Sequence, residues 1–102
     1  MELKPGSRWK SSVCSAEVVV VRPAGGSAVL ECGGHPMTPL AAERPEGLAL
    51  SPDHSGGLSV GKRYFDQETG LEVLASKAGA GSLSIDGRAL QLREAKALPS
   101  SD

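Results

Sequence analysis

Two cysteines, Cys14 and Cys32, are the soft nucleophiles of this chain of 102 residues, and 17 residues lie between them. Thiols can hold a metal or sit inert in a core as small hydrophobes, and a pair this far apart lacks the strong local signature of paired Cys-x-x-Cys motifs. Two histidines accompany them. His35, within Gly33-Gly34-His35-Pro36-Met37, is of a type suited to ligation or acid–base work, but reads first as a turn residue ahead of Pro36. His54, between Asp53 and Ser55, reads as exposed. No patterned Asp or Glu completes a triad with either, and no G-x-S-x-G element or catalytic Cys–His pair can be placed. The glycine pairs Gly25-Gly26, Gly33-Gly34 and Gly56-Gly57 do not open a helix after a strand, so they read as turns rather than phosphate cradles. The chain is expected not to be an enzyme. Lys62-Arg63-Tyr64-Phe65-Asp66 gathers two cations and two of the three aromatics, residue types enriched where proteins meet proteins. Its counterpart Arg8-Trp9-Lys10 holds the third. Trp9, Arg63, Tyr64 and Phe65 are thus candidate partner-binding residues, while Trp9 and Tyr64 read equally well as core anchors.

The elements that must position these groups are strands. With 13 Gly, 7 Pro and one each of Trp, Tyr and Phe, the chain is one domain at most, 1–102, whose burial rests on short aliphatic side chains. Glu17-Val18-Val19-Val20-Val21-Arg22 is the clearest strand, because consecutive β-branched residues suit a pleated surface. Pro23 to Ser27 supplies a turn, and Ala28 to Cys32 is expected to return as the second arm of a hairpin. Leu71 to Ala75 and Ser82 to Ile85 repeat the arrangement, with Leu83 and Ile85 on a dry face, Ser82 and Ser84 on a wet one, and Asp86-Gly87 as the next turn. Ala89 to Leu98 suits a short helix or a further strand, and Pro99 ends either. A net charge of −1 and a pI near 6.1 provide no basic field for a nucleic acid. No apolar run reaches the ~18–20 residues of a membrane span, and Met1 to Pro5 lacks the apolar segment of a secretion signal. These features lead us to expect a soluble cytoplasmic protein with neither nucleic acid nor membrane as partner.

An internal similarity organises the chain. Residues 3–27 laid on 58–82 pair Leu3 with Leu58, Gly6 with Gly61, Arg8 with Arg63, Glu17 with Glu72, Val18 with Val73, Gly26 with Gly81 and Ser27 with Ser82, and place Trp9 on Tyr64. A two-residue deletion then lets Leu30 meet Leu83, Gly34 meet Gly87 and Met37 meet Leu90. Duplication is expected, dividing the chain into a first repeat at 3–40, a Pro- and Gly-punctuated connector at 41–57, a second repeat at 58–92 and a polar tail at 93–102.

The first half, from Trp9-Lys10-Ser11-Ser12-Val13-Cys14 through the Val-rich strand to Leu30-Glu31-Cys32-Gly33-Gly34-His35-Pro36-Met37, resembles desulforedoxin and the N-terminal domain of desulfoferrodoxin. The resemblance implies an all-β fold of two small β-hairpin units packed as a pseudo-dimer, and a tetrahedral centre of four thiolates around one iron. Against that pattern Ser11 and Glu31 stand at the first and third ligand positions, and Cys14 and Cys32 at the second and fourth. The second half places Asp66, Thr69, Ser84 and Ile85 there, and Ile cannot ligate. The expected state is one partial site at Cys14, Cys32, Ser11 and Glu31 and a second that is lost. If the family geometry is kept, the two sulfurs lie close enough for a disulfide after small shifts, which a reducing cytoplasm disfavours; reduced relics remain the third reading. The leading expectation is a non-catalytic accessory or interaction subunit without a cofactor, docking on a larger protein. The alternative is a mononuclear iron or zinc protein serving electron transfer.

Overall fold

In a computed structural model, which describes residues 1–24 and 28–93, the protein is all-β, with a single 3₁₀ turn at Pro52–His54 among the described residues. The strands are β1 (Arg8–Lys10), β2 (Glu17–Arg22), β3 (Leu30–Cys32), β4 (His35–Pro36), β5 (Thr38–Pro39), β6 (Arg63–Phe65), β7 (Glu72–Lys77), β8 (Leu83–Ile85), β9 (Arg88–Ala89) and β10 (Gln91–Arg93). They form a six-stranded sheet, β10-β6-β7-β2-β1-β5, and a four-stranded sheet, β4-β3-β8-β9, antiparallel throughout.

The Val-rich β2 lies inside the larger sheet because it has a dry face to bury and backbone groups on both edges to satisfy. Val18 and Val20 turn into the core while β1 and β7 pair its two edges. From the other sheet Leu30, Cys32 and Ile85 enter the same core. Each fully buried aliphatic of this kind contributes about 1.5–3 kcal/mol.

Both sheet orders are unchanged when β1–β5 are exchanged with β6–β10 and the order is read from the opposite edge. In the larger sheet Val19 faces Leu74, with Val18–Ala75 and Val20–Val73 on either side and Glu17–Lys77 and Arg22–Glu72 beyond. In the smaller sheet Glu31 faces Ser84, flanked by Leu30–Ile85 and Cys32–Leu83.

Two kinds of local expectation are corrected, and one left open between helix and strand is decided. Neither the hairpin of Glu17–Arg22 with Ala28–Cys32 nor that of Leu71–Ala75 with Ser82–Ile85 forms: β2 pairs with β1 and β7, β3 with β4 and β8, β7 with β2 and β6, and β8 with β3 and β9, so the chain crosses between sheets instead of turning back within one. Two apolar strands that both need a dry face bury it better across a shared core than side by side. Ser84 is not on a wet face, since it is completely buried and its hydroxyl donates to Glu31 Oε1 at 3.1 Å. The segment from Ala89 begins as strand, β9 and then β10 through Arg93, and the rest of that candidate helix lies outside the described residues.

Candidate functional site

The loop between β1 and β2 is built around one hydroxyl. Ser11, fully buried, accepts the backbone N–H groups of Val13 and Cys14, each at 3.1 Å, while its own N–H donates to the Ala16 carbonyl at 2.9 Å. This fold of the backbone turns Cys14 inward. Its Sγ lies 3.9 Å from Sγ of Cys32 on β3 and receives the Gly81 N–H at 3.4 Å. Both cysteines are free thiols, Cys14 half-buried and Cys32 fully buried.

The wall over the sulfurs is backbone. A Cβ at Gly79 would come within 2.5 Å of the Ala16 nitrogen and 2.8 Å of Cys14 Sγ, and one at Gly81 would lie 2.9 Å from the Gly33 nitrogen and 3.0 Å from Cys32 Sγ. Only glycines permit the β7–β8 turn to approach so closely. The connector completes the cover: Ser51 N–H donates to the Gly33 carbonyl, Ser82 N–H donates to the His54 carbonyl, and the Leu50 side chain packs over the spot where Gly33 has no Cβ.

The two thiols differ electrostatically. Burial alone would raise the Cys14 thiol, but hydrogen bonds involving Ser11, the Ala16 and Gly81 backbone and Cys32 outweigh it and hold the thiol below its ordinary value. Burial, aided by charge on Cys14, pushes Cys32 up to about 12. The first sulfur is therefore the better nucleophile and the second a neutral thiol at neutral pH.

Of the four ligand candidates, Ser11, Cys14 and Cys32 come together. Glu31 is otherwise engaged, its Oε1 accepting Ser84 Oγ at 3.1 Å and the Gly87 N–H at 2.9 Å. Among the described residues no group of three or more His, Cys, Asp or Glu side chains is gathered as a metal would need. Two sulfurs and a hydroxyl fall short of a four-thiolate tetrahedral centre. His35 donates from Nε2 to the Ala49 carbonyl at 2.9 Å, so its ring is tied to the connector.

The loop between β6 and β7 follows the same backbone plan with different chemistry. Asp66 N–H donates to the Leu71 carbonyl, and Asp66 Oδ2 accepts both the N–H and the hydroxyl of Thr69 at 2.9 and 2.7 Å. Arg88 on β9 then grips the same carboxylate with two bonds, Nε to Oδ1 at 2.9 Å and Nη2 to Oδ2 at 2.8 Å, and its Nη1 reaches Glu68 Oε2 at 2.6 Å. The Asp66 side chain is only 4% exposed. Chiefly the Arg88 hydrogen bond, with Thr69 assisting against the cost of burial, holds its carboxyl well below the usual carboxylate range.

The aromatic candidates separate. Trp9 is 8% exposed and belongs to the core, its Nε1 donating to Ser7 Oγ. Tyr64 and Phe65 are half-buried and Arg63 is exposed. Tyr64 Oη accepts the Ser59 N–H, and the Arg93 guanidinium lies 6.0 Å from the Phe65 ring centre. Arg63 and Arg93 both bond the buried Glu72 carboxylate, at 3.3 and 2.8 Å.

Sequence reasoning overlooked Arg88, Gly79 and Gly81 as site residues. A signal existed in the expected duplication, which sets Arg88 opposite His35 and the identical Gly81 opposite Gly26. Nothing local marked Gly79 as a wall. Compared with family models, curated proteins and solved structures, the chain matches none.

Proposed function

We propose that this chain is a non-catalytic accessory subunit: two copies of one small β-module, related to the metal-binding module its first half resembles, fused in tandem and packed as an internal pseudo-dimer that docks on a larger protein. The observation that carries this reading is the Asp66–Arg88 pair. Asp66 lies in the loop that corresponds to Ser11–Cys14, and in this reading its buried carboxylate, held by two hydrogen bonds from the half-exposed Arg88, stands in for the metal that the module would hold. A scaffold kept while its centre is exchanged for a structural clamp is selected for shape. The interchangeable sheet orders, with Val19 facing Leu74 at the middle of one and Glu31 facing Ser84 at the middle of the other, support the tandem origin.

The working face in this reading is the β6–β10 side of the larger sheet, where β10 is the last strand among the described residues, Leu92 is 44% exposed and Val60, just ahead of β6, is 60% exposed. Arg63, Tyr64 and Phe65 lie beside them. An edge strand with an apolar side chain suits a protein partner that adds a strand of its own.

The tagged chain isolated from its own host is expected to carry a stoichiometric larger protein, and Leu92→Asp to lose that protein while keeping its thermal midpoint. A clean monomer would overturn the proposal. So would one equivalent of iron or zinc with an iron–thiolate absorption band, which would make the chain a mononuclear metal protein instead.

A further inference from the structure

We propose that Cys14 and Cys32 form a peroxide-sensitive thiol pair that closes to a disulfide within the folded chain, Cys14 reacting first and Cys32 resolving. The sulfurs stand 3.9 Å apart, so about 2 Å of approach brings them to the disulfide bond length of about 2.05 Å. Both are held against a backbone wall, with Gly81 donating its N–H to Cys14 Sγ and with positions 79 and 81 so close that a Cβ there would lie 2.8 Å from Cys14 Sγ and 3.0 Å from Cys32 Sγ. Cys14 is half-buried, within reach of a small oxidant, whereas Cys32 has no exposed surface and meets an oxidised sulfur only at Cys14.

The reaction balances in two steps. The Cys14 thiolate attacks one oxygen of hydrogen peroxide, forming an S–O bond as the O–O bond breaks, and the leaving hydroxide takes a proton to become water. The Cys32 sulfur then attacks Cys14 Sγ. The S–S bond forms as the S–O bond breaks, and the oxygen leaves as water with the Cys32 proton. Two thiols lose two electrons and the peroxide gains them. A dithiol reductant reverses the outcome by exchange.

The test uses the full chain, reduced and freed of metal with a chelator. Hydrogen peroxide is expected to lower its mass by two hydrogens, to block both thiols against maleimide after denaturation, and to leave a single chain on a non-reducing gel, all restored by dithiothreitol. Cys32→Ser should yield a Cys14 sulfenic acid trapped by a cyclic diketone. Cys14→Ser should leave Cys32 oxidising at least about tenfold more slowly than the wild-type pair. Retention of two free thiols in the wild type, disulfides formed only between chains, or undiminished oxidation of Cys32 in Cys14→Ser would each overturn the proposal. The outcome is independent of any protein partner.

Discussion

At the scale of single residues, the two equivalent loops show how one backbone serves two chemistries. Ser11 is neutral and organises two N–H groups beside a thiol pair; Asp66 carries a charge and needs Arg88. Because the folded chain holds Asp66 below its ordinary carboxyl value of 3.8, this residue adds stability above that value and loses it as pH falls below it. The thermal midpoint of the wild type is expected to drop in that acid range, and that of Asp66→Asn to start lower at neutral pH and change less on acidification; calorimetry across pH checks this. Cys32 has the opposite sign. Its thiol is pushed from 9.0 up to about 12, so its contribution is complete below 9.0 and disappears as pH rises towards 12. Reduced Cys32→Ala should lack that alkaline loss in a thermal-melt series. The two sulfurs were legible in the residues themselves. The Arg88 clamp was not, because a bidentate contact between residues 22 apart in sequence depends on where β9 is laid down.

At the scale of elements, the β7–β8 turn decides how closely the two sheets approach the thiols. Ala in place of Gly81 would press a methyl against the Gly33 backbone, and Gly81→Ala is expected to cost about 1–3 kcal/mol by urea denaturation. In the core between the sheets, Leu30→Ala should cost about 2–5 kcal/mol in the same assay, since Leu30 is fully buried. At the next turn Asp86 holds φ 49° and accepts the Val29 N–H at 2.9 Å, a conformation that Asp tolerates through its short polar side chain. Strand positions were readable from β-branched runs and from Asp86-Gly87. Strand partners were not, and the hairpin expected between β2 and β3 failed for that reason: alternation says that a strand has a dry face, and either sheet could have supplied the cover.

At the scale of the whole molecule, each half completes the other. β2 depends on β7 and β3 on β8 for one full edge of backbone hydrogen bonds. A fragment of residues 1–57 would expose both edges and lose the β7–β8 wall over its thiols. Sedimentation is expected to find it as a self-paired dimer or larger species, because an unpaired edge beside a Val-rich strand recruits another copy. No helix among the described residues is long and apolar enough to cross a membrane. What the sequence determined by itself was local: an all-β chain, the Asp86-Gly87 turn and the two cysteines, all of which follow from side-chain shape and backbone preference over a few residues. Only the tertiary structure decided that the sulfurs meet, that Glu31 turns to Ser84, that Trp9 is core and that Arg88 closes the second loop. Those outcomes are contacts between distant segments, and they are set by which strands share an edge and which share a core.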